Sequence, residues 1–103
     1  MKDIAYLLAL HSIDGLGPIR LKSLLEHFGN DPKLAWEGEI GEIRGIGIPE
    51  STCQLVIETR KTLDPDKYLE YIENSGIKWM TIFDDSYPKL LKEIYDPPVL
   101  FYY

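Results

Sequence analysis

Two glycine turns, Gly15-Leu16-Gly17 and Gly45-Ile46-Gly47, constrain this chain more than any other feature. Their surroundings repeat in register. The first is preceded by Leu10 and Ile13 and followed by Leu21, Leu24 and Leu25; the second is preceded by Ile40 and Ile43 and followed by Ser51, Gln54 and Leu55. A lone Gly-x-Gly says little, whereas a flanking apolar pattern repeated at a fixed period marks a duplicated supersecondary unit. Each copy reads as a helix ending at the turn, a glycine of positive φ, and a second helix starting just beyond. The apolar residue between the glycines plugs down between the two helices. The second glycine lets the backbone pass close to something at the N-terminus of the next helix. That terminus carries unpaired amides and the positive end of a dipole, so a phosphate is its natural occupant. The spacing is that of a helix-hairpin-helix, present twice.

The rest of residues 1–63 fits an all-α unit around these turns. Asp3 is placed to cap a helix reaching about Leu10, with Ile4, Leu7, Leu8 and His11 on one stripe and Ala5, Ala9 and Leu10 widening it. Being apolar nearly all round, this helix is expected at the centre of the core. Pro18 opens the next helix, which carries Leu21, Leu24, Leu25 and Phe28 at helical spacing and closes at Gly29-Asn30. Asp31-Pro32 is a cap-plus-proline start for a short helix with Leu34, Ala35 and Trp36. From Pro49 to about Leu63 the pattern predicts a longer helix with Leu55, Val56, Thr59 and Leu63 inward.

At Asp64-Pro65 the pattern changes. A second cap-plus-proline opens a helix with Tyr68, Leu69 and Ile72 on one side, ending at Ser75-Gly76. Residues 77–83, rich in β-branched and aromatic side chains, read as a strand. Residues 84–88 form a turn, and a helix over residues 89–94 is expected to turn Leu90, Leu91 and Ile94 inward. Asp96-Pro97-Pro98 breaks it, and residues 99–103 read as a second strand. Helix, strand, helix, strand is the opening of an α/β domain with a parallel sheet. Two strands cannot cover their own faces, so the sequence predicts the amino-terminal part of something longer, or a sheet completed by a partner. The fold class expected is a tandem helix-hairpin-helix, SAM-like domain over residues 1–63, followed over residues 64–103 by the first strands and helices of a Rossmann-like α/β domain, mainly α overall.

Composition narrows the function. A chain of 103 residues with 45% hydrophobic and 27% charged residues is one small domain, or one with part of another. The single cysteine, Cys53, falls on a helix and reads as a buried, inert thiol with no partner for a redox pair or metal site. No stretch is long and apolar enough for a membrane span, and a cytoplasmic location is expected. The net charge is −6. Residues 1–63 hold seven Lys/Arg against nine Asp/Glu, and residues 64–103 hold four against eight. Neither part carries the basic footprint of a strong independent DNA binder.

The two halves in this order resemble the amino-terminal part of the DNA-processing protein A (DprA/Smf) family. In the first half the resemblance rests on Ile13-Asp14-Gly15-Leu16-Gly17-Pro18 and Leu25-Glu26-x-Phe28-Gly29. In the second it rests on Asp84-x-x-Tyr87-Pro88-x-x-Leu91-x-x-Ile94-x-Asp96-Pro97-Pro98-Val99-Leu100-Phe101, the more specific string. It implies a SAM-like domain followed by an extended Rossmann-like one, no enzymatic activity and no cofactor. It implies a role in natural transformation, in which incoming single-stranded DNA is protected and a RecA-type recombinase is loaded onto it. The family's main DNA pocket lies further along the Rossmann-like domain than this sequence extends, so no pocket residue carries over. A homodimer through strand 99–103 or through the missing domain is a further expectation.

Within the chain, the candidate DNA-binding residues are Gly15, Leu16, Gly17, Arg20, Lys22, Arg44, Gly45 and Gly47. The amides at the two turns would receive phosphates, and the three cations would add charge without reading sequence. Tight turning within a bundle accounts for the same glycines, and Asp14 and Glu50 place negative charge at the turns. An acidic docking surface for a protein partner is therefore the alternative function. Asp84 and Asp85 stand at a strand end but read as turn formers. His11 and His27 lack metal-ligand spacing. Trp79, Tyr87, Tyr95, Phe101, Tyr102 and Tyr103 follow the pattern of core rather than of a base-stacking platform. A nucleotide-binding enzyme finds no glycine-rich loop after either strand.

Overall fold

The computed structural model describes residues 3–94 and 97–103. Tyr95, counted among the core aromatics, and Asp96 of the Asp-Pro-Pro break lie outside the described residues. Among the described residues, seven helices and two strands follow in the order α1 (Ile4–His11), α2 (Pro18–His27), α3 (Pro32–Glu37), α4 (Ile40–Gly45), α5 (Glu50–Thr62), α6 (Pro65–Asn74), β1 (Trp79–Thr81), α7 (Lys89–Lys92) and β2 (Leu100–Tyr102).

Helix α1 lies at the centre, as its composition predicts. Ala5, Leu7, Leu8, Ala9 and Leu10 are all buried, and the helix packs chiefly against α6 and α3. A helix with no polar face must be enclosed, because each exposed leucine would forgo about 1.5–3 kcal/mol of burial. Residues from both sequence segments supply the enclosure. Leu21, Leu24, Leu25, Ala35, Trp36, Ile43 and Val56 from residues 1–63 join Ile72, Val99 and Leu100 from residues 64–103 in a single apolar cluster.

Helix ends follow the capping signals with one exception. Asp31 accepts hydrogen bonds from the Lys33 and Leu34 amides at 3.0 and 3.3 Å, and Asp64 accepts from Asp66 and Lys67 at 3.0 and 3.4 Å. Gly29 and Asn30, at φ 69° and 60°, close α2 with the paired bonds of a Schellman motif: Asn30 N–H to the Leu25 carbonyl at 2.7 Å, and Gly29 N–H to Glu26 at 3.2 Å. Asp3 departs from expectation. Its backbone is left-handed, at φ 63°, and its side chain makes no capping bond. A capping side chain needs an extended backbone to reach back to the second and third helical amides, and this one lacks it.

On α5 polar residues occupy the core side. On α5 the buried residues are Thr52, Cys53 and Val56, whereas Leu55 is 38% exposed. Counting apolar residues cannot see that Thr52 fills a position against the first glycine turn. Nor can it see that Arg60, one turn beyond Val56, points inward to donate to the carbonyls of Gly38 at 2.8 Å and Ala35 at 3.3 Å. Arg60 thereby ties α5 to the carboxyl end of α3, where the carbonyls are unpaired and the dipole is negative.

The two strands form an antiparallel pair, with Trp79 opposite Tyr102, Met80 opposite Phe101 and Thr81 opposite Leu100. This corrects the parallel arrangement expected from the element order. A parallel crossover needs a connection that travels back along the sheet, usually on a covering helix. Here α7 is a single turn of four residues. It does not cover the sheet: Leu90 is 79% exposed and Ile94 49%, where both were expected inward. Instead the connection is clamped locally. Asp84 accepts from the Thr81 amide at 2.8 Å and from its hydroxyl at 3.1 Å, and the buried Tyr87 donates its hydroxyl to the Pro98 carbonyl at 2.7 Å. These bonds explain why Asp84, Tyr87 and Pro98 occur in one string, and they confirm the turn-forming reading of Asp84.

Two outcomes follow. Removing the guanidinium in Arg60→Ala leaves two helix-end carbonyls without their charged donor and is expected to destabilise by about 2–3 kcal/mol in urea denaturation. Arg60→Lys recovers only part of this, because an ammonium cannot span both carbonyls. His11 packs edge-on against Tyr102 at 5.4 Å, and burial holds its pKa below the ordinary value. The unfolded chain therefore takes up this proton first. The stability that a neutral His11 contributes is present above about pH 6.5 and is lost as pH falls from there through the lower folded-state value. A His11→Gln variant should show a flatter melting-temperature profile over that window.

Candidate nucleic-acid interface

The sequence repeat does not yield two equal hairpins. In the first, α1 ends at His11, residues 12–17 make the turn, and α2 starts at Pro18. Gly15 carries the positive φ, at 90°. In the second, α4 runs through Gly45 itself, the turn is residues 46–49, and α5 starts at Glu50. There Gly47 carries the positive φ, at 96°. The turn residue has moved from the first glycine of the motif to the second. Proline placement accompanies the shift: Pro18 directly follows Gly17 and forms the first helical position, whereas Ile48 intervenes before Pro49, which sits at the N-cap of α5. Leu16 plugs the first hairpin, 5% exposed, as expected, while Ile46 is only partly buried against the core.

At the first hairpin the two glycines have different tasks. A Cβ on Gly15 would stand 2.5 Å from Thr52 Oγ1, so this turn lies directly on α5. Gly17 is extended at φ −72°, ψ −178°, and a Cβ there would meet nothing within 4 Å. Neither backbone conformation nor internal packing requires glycine at 17. The first turn of α2 contains no acidic residue, and the Ile19 and Arg20 amides lie there beyond the reach of any intrahelical carbonyl. Arg20 bends back so that Nη1 donates to the Gly15 carbonyl at 2.9 Å. That holds the exposed guanidinium beside the turn. Gly17, Pro18, Ile19 and Arg20 line a shallow depression there.

The second hairpin supplies its own anion. Arg44 and Glu50 form a two-pronged ion pair, Nε to Oε2 at 2.5 Å and Nη2 to Oε1 at 3.1 Å, and Gln54 adds a bond to Oε1 at 3.1 Å. The pairing raises the Arg44 pKa and lowers that of Glu50, chiefly through the hydrogen bonds between them. Glu50 also sits in the first turn of α5, where the dipole favours a carboxylate. The cation predicted to meet a phosphate at Gly45 and Gly47 is thus engaged by a neighbouring side chain. Lys22 sits apart from both turns, in a groove toward the far end of α2 with Leu25, Glu26 and Asn30. The eight predicted residues therefore divide, with Gly15, Leu16, Gly17 and Arg20 together at one hairpin, Arg44, Gly45 and Gly47 at the other, and Lys22 outside both.

Other candidates resolve into structural roles. Cys53 is fully buried, with its thiol directed at the Ile48 carbonyl at 3.6 Å. His27 lies 3.8 Å from Glu42 and edge-on to Phe28. Among the described residues no group of three His, Cys, Asp or Glu is arranged to hold a metal ion, and no helix is long and apolar enough to cross a membrane.

The chain is 35% identical over 102 residues, 96% of its length, to Protein Smf of Synechocystis, and it spans 25% of that protein. It is 38% identical over 50 residues to UvrABC system protein C of Streptococcus uberis, and 47% identical over 51 residues to that of Thermobifida fusca. Each of these alignments covers 48% of this chain and 8% of the relative. No family model and no solved structure matches the chain. It spans about a quarter of its Smf relative, and the match supports a DprA/Smf-like segment.

The two glycines of the first turn should respond oppositely to a methyl group. Gly15→Ala combines a left-handed backbone with a clash on Thr52 and is expected to cost about 2–4 kcal/mol in denaturant unfolding. Gly17→Ala should stay within about 0.5 kcal/mol of the parent. Equal losses at the two positions would contradict this division of roles.

Proposed function

We propose that this DprA/Smf-like chain is a non-catalytic, DNA-processing module that holds a nucleic-acid backbone at its first hairpin and uses its second as an internal brace. The observation that carries the reading is the contrast between two helix N-termini of one repeat. One has no acidic residue in its first turn and is flanked by Arg20, with Asp14 in the turn before it; the other is occupied by Glu50. An extended Gly17 that nothing inside the chain requires fits a backbone that something outside must approach closely. The likeness to Protein Smf over nearly the whole chain, and the shorter likeness to UvrABC system protein C, support the reading.

On this reading residues 1–63 are the SAM-like tandem helix-hairpin-helix unit, and residues 64–103 lead into a Rossmann-like domain. In the whole protein that domain would bind the single-stranded DNA of transformation and recombination and load a recombinase onto it. The module's own contact is weak and non-specific, because one guanidinium and two or three amides neutralise little charge in a chain of net charge −6. The acidic surface also supports a second reading, docking of a protein partner: two of the basic side chains nearest the second hairpin, Arg44 and His27, already face Glu50 and Glu42.

Titration of the chain with labelled single-stranded and duplex oligonucleotides at several salt concentrations separates the two. The DNA reading expects affinity that falls with salt. Arg20→Ala should weaken binding roughly threefold and reduce the salt slope by about one. Glu50→Gln, by releasing Arg44, should strengthen binding at the second hairpin. Absence of salt-sensitive binding at low ionic strength would leave the docking function instead.

A further inference from the structure

The outer face of α2 leads from the first hairpin to a second feature of different chemistry. Pro18, Ile19, Lys22 and Glu26 recur at three- and four-residue spacing and so share one stripe. At its far end, α2 and the segment joining the strands enclose a groove of about 360 Å³, lined by Lys22, Asn30, Phe83 and Lys92 over a floor that includes Leu25 and Val99. The groove also contains Glu26. Phe83 is 45% exposed, an aromatic ring left in solvent while the neighbouring Tyr87 is buried. Its backbone is held, since its amide donates to Thr81 Oγ1 at 3.3 Å within the Asp84 clamp. Lys92 Nζ lies 5.7 Å from the Tyr87 ring, at the same edge. Among the described residues neither Lys22 nor Lys92 has an ion-pair partner.

We infer that this groove is a subsite for one nucleotide of a single nucleic-acid strand, with the base on the Phe83 ring and the phosphate between Lys22 and Lys92. The inference rests on the hairpin reading for the direction of the strand, which would run from the α2 N-terminus along the Ile19–Lys22 stripe into the groove. The groove has its own support in ring, charge and floor. An exposed ring with two ammonium groups over an apolar floor is the combination that holds single strands without reading their sequence. A duplex keeps its bases stacked and presents none to the ring, so the subsite discriminates by strandedness. The two lysines outnumber the one carboxylate, making the lining locally positive in an acidic chain. Glu26 opposes binding and sets its limit.

The test uses the full 103-residue chain, a short labelled oligothymidylate and a duplex of equal length, at low salt. Phe83→Ala is expected to lower single-strand affinity by about fivefold or more while leaving duplex affinity unchanged, and Phe83→Tyr to retain it. Lys22→Ala and Lys92→Ala should each weaken single-strand binding, and Glu26→Gln should strengthen it. In Phe83→Trp, oligothymidylate should quench the added indole fluorescence. Thermal melts of all variants check that the exposed substitutions leave the fold intact. Unchanged single-strand affinity in Phe83→Ala and Lys92→Ala, with Arg20→Ala still weakening binding, would overturn the groove and leave the hairpin reading standing. Loss in the groove variants with none in Arg20→Ala would support the groove and sink the hairpin. No salt-sensitive binding of either probe overturns both.

Discussion

An eight-residue helix with no polar side governs this structure. Because Leu7, Leu8, Ala9 and Leu10 are fully excluded from solvent, α1 requires neighbours on every flank, and the chain's other elements are arranged to supply them. Helices α3 and α6 cover it most closely, one from each side of the change in pattern at Asp64-Pro65. The apolar cluster therefore runs without a break from the glycine-hairpin region to the strand pair. Interfaces between separable domains are more polar than this. Residues 64–103 act here as part of the wall around α1.

The two hairpins differ in how they meet that core. The first hairpin leaves α1 directly, and Gly15 in its turn lies against Thr52 of α5, where a Cβ would collide with the threonine hydroxyl. The second hairpin is partly plugged by Ile46 and closes with the Arg44–Glu50 pair. Exposed ion pairs contribute little to stability. Here the pair matters through occupancy, because it places a carboxylate where the repeat would otherwise present a bare anion site.

Much of this was legible in the sequence, for identifiable reasons. Asp31-Pro32, Asp64-Pro65 and Gly29-Asn30 marked helix ends because capping is decided by one side chain or one backbone angle. The all-apolar α1 announced its own burial. The displaced second turn was not legible, because Gly-x-Gly serves equally well with its left-handed residue first or second, and only the position of the following proline differs. Leu55 misled because Thr52 and Arg60 hold the inward face of α5 through a close contact and hydrogen bonds, which an apolar count ignores. Strand direction misled because element order alone does not say whether a connecting helix is long enough to cross a sheet; α7 is not. At the candidate site, the sequence pattern brings Gly15, Leu16, Gly17 and Arg20 to one turn, as the structure does, but it does not reveal that Arg44 is engaged by Glu50 or that Phe83 is exposed.

The central claim is that one repeat has produced an open helix N-terminus and a self-occupied one. Backbone amide chemical shifts, followed residue by residue as single-stranded oligonucleotide is added, test it most directly. The account predicts that the amides of Gly17, Ile19 and Arg20 move together in a salt-dependent way while those of Gly47, Glu50 and Ser51 stay in place. Movement centred on the second hairpin, or equal movement at both, would contradict it.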